Sequence, residues 1–432
     1  MIKRMVLARA RRFPHAAAAA PGGAWVAAAA LVLVVACAQA GPAQAGEDPV
    51  APIGHGARKY FAPPAPGGGG DMLSDPLGRA LVELVSQAAA AHGQSAPRPD
   101  PRLGAVAETL ADALGADEVP GLELQEFLLS HFGLGDPLPE LSMYQVGLDD
   151  EVIRSKFATR IPGMLREGPF GRVGVGVTRH FFGRTSVVLA LQRTDIELLP
   201  IPRRLAAGDS ALIAGRLLRG RRDPKVLVAP PAGEVETLVP RGNGDSFQTS
   251  FRCNAGPGKY QVEIVGTGSD GKSLVANFPL FCAVEPPLTA PRSIVAAPET
   301  TDRRRAEVLA TEAVNRDRAA VKLPALVWDE ALARAARAYS DELSRRQVVE
   351  HVSRESGDAA DRIRRAGARA FVVYENVGRA NSIADAQRSF MSSPGHRANI
   401  LARPATRIGV GVTFRQDPGA VPILYITQLF AR

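Results

Sequence analysis

Arg172-Val173-Gly174-Val175-Gly176-Val177-Thr178 returns as Arg407-Ile408-Gly409-Val410-Gly411-Val412-Thr413, with one conservative change. Each copy is short, alternating and rich in β-branched residues, so each reads as a strand. Upstream, Asp100, Leu103, Ala107, Asp112 and Leu114 match Asp329, Leu332, Ala336, Asp341 and Leu343 in register. The distance from Asp100 to Arg172 is 72 residues, and from Asp329 to Arg407 it is 78. Leu332, Ala335, Ala336, Tyr339 and Leu343 stand at i, i+3, i+4 spacing, the stripe of a helix that buries one face. Two copies of one α/β unit are therefore expected, over residues 71–195 and 303–432.

Between the copies the texture changes. Residues 196–285 hold short β-rich runs, among them Ser210 to Leu218, Phe247 to Cys253, Tyr260 to Val265 and Leu274 to Val284, cut by turns such as Gly242-Asn243-Gly244. Six or seven strands in 90 residues argue for an antiparallel sandwich of immunoglobulin-like type. Cys253 and Cys282 fall inside it and read as a disulfide in an exported protein, or as two buried thiols otherwise. Residues 46–70, ending in four glycines, and the proline-rich 286–302 read as linkers.

The chain has 432 residues, 46% of them hydrophobic and 22% charged, the composition of folded domains joined by linkers. Its net charge of +8 invites a nucleic-acid reading. However, Lys3, Arg4, Arg9, Arg11 and Arg12 precede every acidic residue, and +3 remains once the first 36 residues are removed. Nucleic acid is therefore not an expected partner, and the later basic run Arg216 to Lys225 reads as a solvated hairpin loop.

The five basic residues lead into the apolar run Ala24 to Ala36, too short for a comfortable membrane span and followed by small residues. That order marks residues 1–45 as a secretory signal. Ala-Gln-Ala triplets ending at Ala40 and Ala45 suit ordinary cleavage, whereas Val34-Val35-Ala36-Cys37 resembles a lipobox that would lipidate Cys37. The expected location is extracytoplasmic: secreted, periplasmic or lipid-anchored in the envelope, with a membrane met only through the signal or the lipid.

The C-terminal segment carries, in order, Asn315-Arg316, Leu326-Val327-Trp328-Asp329, His351-Val352-Ser353, Glu375-Asn376, Ser393-Pro394-Gly395-His396-Arg397-Ala398-Asn399-Ile400-Leu401, the second Gly-Val-Gly-Val strand and Tyr425-Ile426-Thr427-Gln428. As a set, over residues 303–432, this resembles the bacterial CAP domain, also called the SCP domain, named for cysteine-rich secretory proteins, antigen five and pathogenesis-related proteins. The resemblance implies an α-β-α sandwich with a central cleft lined by two His and two Glu. It carries His351, Glu375 and His396 onto three of those positions, with Ser353, Asn376 and Gln428 beside them. The second Glu has no counterpart: Ser392 and Ser393 stand there. Phe390 replaces a usual Trp, and Tyr374 a Gly. Trp328 is expected to be a buried core anchor.

The first copy would then be a degenerate CAP-like unit. Counting back eleven residues from Arg172, as His396 stands before Arg407, lands on Ile161, and no Glu-Asn pair occurs there. His131 is the one imidazole that could take part.

Two His and a carboxylate, with an open fourth position, could hold Zn or another divalent metal. The same trio equally suits a hydrogen-bonded cluster that pins loops together. No nucleophile motif accompanies it: His-Glu-x-x-His, Gly-x-Ser-x-Gly and a free Cys are all missing from this segment. The expected function is a non-enzymatic binding module for a lipid, peptide or cell-wall ligand. The rivals are a metal-dependent hydrolase built on His351, Glu375 and His396, and a purely structural envelope protein.

Overall fold

The computed structural model describes residues 56–63, 72–113, 118–146, 149–166, 168–180, 183–269, 271–291, 293–294, 298–416 and 422–432. The segment read as a secretory signal, its expected cleavage points and Cys37 lie outside the described residues.

The first part runs β1 (Lys59–Tyr60), α1 (Pro76–Ala91), β2 (Arg98–Pro99), α2 (Pro101–Ala113), α3 (Leu122–His131), β3 (Glu140–Val146), α4 (Asp150–Leu165), β4 (Arg172–Arg179) and β5 (Thr185–Gln192). Local chemistry sets the starts: Asp75 accepts from the amides of Leu77 and Gly78 at the head of α1, and Asp149 from Val152 at the head of α4. The sheet order is β2-β4-β5-β3, with β2 parallel to β4 and the other pairs antiparallel. Leu81 and Val85 of α1 and Phe157 and Ile161 of α4 cover one face, against Val173, Val175, Val187 and Leu189. Leu103 and Ala107 of α2 and Leu124 and Leu128 of α3 cover the other, against Val188 and Ala190. Strand β3 is not among the strands the sequence predicts, because Glu140 to Val146 mixes polar and apolar residues and follows a helical stretch.

The central region is β-rich: β6 (Ile196–Leu198), β7 (Ile201–Pro202), β8 (Arg204–Leu205), β9 (Ser210–Leu217), β10 (Arg222–Ala229), β11 (Glu236–Leu238), β12 (Ser246–Arg252), β13 (Gly258–Gly268) and β14 (Gly271–Cys282). A five-stranded sheet, β11-β10-β13-β14-β8, and a three-stranded one, β12-β9-β6, enclose a core of Ile213, Val226, Phe251, Tyr260, Val262, Ile264 and Phe278. Strand β1 pairs with β7 and adds Tyr60 to that core. Cys253 and Cys282 are both buried and disulfide-bonded, with Cα atoms 5.6 Å apart. The basic run from Arg216 to Lys225 is not a solvated loop throughout: strands take both of its ends. Arg221 between them is nearly buried in an ion pair with Asp195 at 3.1 Å.

The C-terminal α/β part runs α5 (Arg303–Ala320), β15 (Val327–Trp328), α6 (Glu330–Arg346), α7 (Ala359–Arg365), β16 (Val373–Ala380), α8 (Ile383–Ser392), α9 (Pro394–Ile400), β17 (Arg407–Arg415) and β18 (Ile423–Ala431). Its sheet order is β15-β17-β18-β16, again with a two-residue strand parallel to its neighbour and the rest antiparallel. Helices α5 and α8 bury Ala306, Ala310, Ile383 and Phe390 against Ile408, Val410, Val412 and Ile426, while α6 covers the opposite face. Trp328 is not fully buried: it is half-buried, its indole N–H donates to Glu330 at 3.0 Å, and it lines an open groove beside α5.

Glycine explains why both Gly-Val-Gly-Val strands sit so close to a helix. A Cβ on Gly174 or Gly176 would come within 2.4 or 2.2 Å of the carbonyl carbon of Leu103 or Ala107. On Gly409 or Gly411 it would come within 2.4 or 2.3 Å of that of Leu332 or Ala336. A side chain cannot share that space, so the strand can carry only hydrogen there. The opening arginine of each strand grips the acid before the facing helix: Arg172 meets Asp100 at 3.2 Å, and Arg407 binds Asp329.

Candidate functional site

The site gathers at β16, the edge strand of the C-terminal sheet. Glu375 lies on β16 itself, rather than in a loop, and its side chain is 6% exposed. One carboxylate oxygen, Oε1, lies 3.0 Å from Nδ1 of His351, in the loop after α6, and the other accepts from Nη2 of Arg362 on α7. Arg362 is 3% exposed and its guanidinium lies over the Tyr339 ring at 3.4 Å. It also donates to the backbone oxygen of His351 at 3.2 Å, so one arginine fixes both the acid and the loop bearing the imidazole. His351 is 42% exposed and forms the outer rim. With Nδ1 turned to a carboxylate, the neutral ring presents Nε2 as an acceptor, and Nε2 has no partner among the described residues.

His396 enters from the other side of the edge, inside α9, whose N-cap Ser393 accepts from the His396 amide at 3.3 Å. The imidazole packs on Phe390 with ring centres 4.9 Å apart, and its Nδ1 is enclosed without a partner among the described residues. Burial, with His351 adding repulsion, pushes its pKa down to about 3. His396 is therefore neutral near pH 7.

The other residues singled out in the sequence are structural ties. Asn376 and Gln428 are fully buried and bonded to each other at 3.1 Å. They belong to a head-to-tail chain of amides: Asn399 donates to Asn376 at 2.9 Å, Asn376 to Gln428, Gln428 to Gln387 at 3.1 Å, and Gln387 to the carboxylate of Asp317 at 2.6 Å. Asn376 also donates to the His396 carbonyl at 3.3 Å. Ser353 turns away, donating to Glu342 and accepting from the amide of Glu355 at 3.0 Å, which folds the His351 loop. Sequence reading missed Arg362, Tyr339 and Gln387. Arg362 sits in Asp361-Arg362-Ile363-Arg364-Arg365, which looks like a solvated basic face, and only helix phase separates it from its exposed neighbours.

This arrangement does not fit a metal centre. Both oxygens of Glu375 are engaged, one by a buried guanidinium, which places positive charge where a cation would need to sit. Among the described residues no group of three or more His, Cys, Asp or Glu is placed so that it could hold a metal ion.

Residues 311–430 match the model of the Cysteine-rich secretory protein family, CAP. No curated protein matches the chain. Among solved structures, an extracellular protein containing an SCP domain from Bacillus anthracis is similar at 20% identity and a TM-score of 0.28, over 55% of this chain and 86% of that one. A cysteine-rich secretory protein from Staphylococcus aureus is similar at 16% and 0.24, over 66% and 93%. An outer surface protein of Borrelia burgdorferi is similar at 16% and 0.27, over 30% and 95%. With the motif order, the four-stranded sheet between helices and the profile match in agreement, residues 311–430 of this chain are a CAP domain of the cysteine-rich secretory protein family.

Proposed function

We propose that the CAP domain is an extracytoplasmic binding module whose cleft takes a hydrogen-bonding ligand of the cell envelope, a peptide or cell-wall fragment in preference to a bare lipid chain. The observation that carries this is His351: a rim imidazole anchored through Nδ1 on the buried Glu375–Arg362 pair, with Nε2 left for a donor on the ligand. Both oxygens of Glu375 beneath it are engaged, which favours holding a ligand over reacting with one. No observation favours the hydrolase reading. The signal segment and the disulfide support an exported location, and among the described residues no helix is long and apolar enough to cross a membrane.

The central region acts in this proposal as a spacer of immunoglobulin-like type, and residues 71–195 as a degenerate CAP-like copy. The sheet registers support the second point. Glu375 pairs with Leu429 and Asn376 with Gln428, whereas the corresponding pairs in the first sheet are Leu141 with Ala190 and Ser142 with Leu189. The acid and the amides are replaced by apolar or small side chains.

The test is binding of the full chain to solubilised cell-wall fragments, a peptide library and lipid vesicles, for wild type, His351→Ala and His351→Gln. Cell-wall or peptide binding weakened roughly tenfold by the alanine variant is expected from loss of a hydrogen bond in a shielded site. Binding to vesicles alone, indifferent to His351, would overturn the reading.

A further inference from the structure

Residues along β13 alternate: Tyr260, Val262 and Ile264 point into the central core, which leaves Gln261 and Glu263 for the outer face. Yet Gln261 is only 7% exposed and Glu263 only 3%. Gln261 is tied to Asn277 of β14, and the CAP domain reaches Glu263. The Glu263 carboxylate accepts from the Gly395 amide at 2.8 Å and from the Ser393 hydroxyl, and Ser393 in turn accepts from the His396 amide. A Cβ on Gly395 would lie 3.2 Å from the same carboxylate oxygen, so the bare backbone lets the acid approach. Beside it, Arg397 donates to the carbonyls of Pro230 and Gly233 at 3.4 and 3.2 Å, and Arg403 pairs with Glu234 at 2.7 Å.

We propose that Glu263 is a positioning residue of the cleft, a carboxyl lent by the central region that holds the His396 loop through Ser393 and Gly395. The CAP sequence itself has only Ser392 and Ser393 at that point, and the acid arrives instead from 130 residues upstream in the chain. The cleft is thus completed by docking of two parts of one chain. This rests on the reading of His351, Glu375 and His396 as the cleft.

The groups around Glu263 make the contact answer to pH. From α3 comes Glu126, partly buried, with its pKa raised by desolvation against the pull of Lys259 on β13. From α9 come His396 and Arg397, and the strand neighbours Leu227 and Asn277 carry no charge. Burial pushes the Glu263 carboxyl up to about 7, opposed by its bonds to Ser393 and Gly395. A released, solvated acid would ionise near its ordinary 4.5. The docked form therefore holds the proton more tightly, and raising the pH through about 7 loosens the contact.

Hydrogen exchange by mass spectrometry on the full chain, with the His396 imidazole signals followed by NMR, tests this. Glu263→Ala is expected to speed exchange over residues 394–401 roughly tenfold and to shift the His396 signals, with β17 and β18 unchanged. Glu263→Gln, which keeps an acceptor oxygen, should stay within about twofold of wild type at pH 6 and lose the drop in protection, taken relative to the base-catalysed intrinsic exchange rate, that wild type shows toward pH 8. An alanine variant with an unchanged loop, one that loosens β17 and β18 equally, or a glutamine variant as loose as the alanine would each overturn the proposal. Lost ligand binding with the expected loop behaviour would sink the binding reading and leave Glu263 standing.

Discussion

Arg362 and Glu375 form an ion pair sealed from water, with side chains 3% and 6% exposed, and the ring of Tyr339 closes the far side of the guanidinium. Removing one partner of such a pair leaves a charge stranded, which costs about 3 to 5 kcal/mol, whereas replacing both by apolar groups costs far less. Arg362→Met should lower the stability of the CAP domain by about 3 kcal/mol in a denaturant titration. The double variant Arg362→Met with Glu375→Leu should recover much of that loss. A single variant within about 0.5 kcal/mol of wild type would show that the pair is not desolvated.

The close strand–helix approach gives a matched pair of tests. Gly411→Ala and Gly176→Ala each force a methyl group against a helix backbone 2.3 or 2.2 Å away. Each should cost about 2 to 3 kcal/mol or more, since the obstacle is main chain and cannot rotate aside. An unchanged unfolding midpoint in either variant would refute the packing described for that unit.

His396 and Glu263 should pull the pH–stability profile in opposite directions. The unfolded imidazole takes a proton below about 6.5 while the folded one resists until about 3, so its contribution is lost as pH falls through that window. The Glu263 carboxyl is the reverse: it holds its proton up to about 7 when folded and 4.5 otherwise, so its contribution is lost as pH rises from about 4.5 to 7. Thermal unfolding from pH 4 to 8 should show His396→Gln losing less stability toward acid, and Glu263→Gln losing less toward pH 8. Parallel profiles for all three proteins would contradict both assignments.

Cys253→Ser with Cys282→Ser should destabilise the central region by roughly 3 kcal/mol, the loop-closure value for a span of this size. Mass spectrometry of non-reduced protein isolated from the envelope should show no free thiol at either position.

Cys37→Ser is a separate test of the exit route. Release from the membrane fraction is expected if Cys37 carries a lipid anchor, and unchanged fractionation would leave ordinary secretion as the better account.

Legibility followed physical range. The α6 stripe and both Gly-Val-Gly-Val strands could be read because helix and strand periods are local, and the profile match agrees with the motif order from Asn315 to Gln428. The pairing of His351 with Glu375 came through family resemblance, since no spacing rule links residues 24 apart. Glu263 could not be read at all. On a strand, an outward carboxylate looks like a solvated one until the covering surface is known. Trp328 misled for the opposite reason: its bulk suggests a core, but it ends a two-residue edge strand where one side stays open.

The amide chain from Asn399 to Asp317 has a consequence of its own. Its four carboxamides carry no titratable group, and each donates toward the next, so their dipoles line up and reinforce one another. The ties that join α9, β16, β18 and α8 thus hold no group that gains or loses a proton, and only the last tie, from Gln387 to the Asp317 carboxylate on α5, ends on one that can. A change of pH would therefore leave the strand-to-helix ties through the four carboxamides in place and act on the His396 loop, where Glu263 holds it.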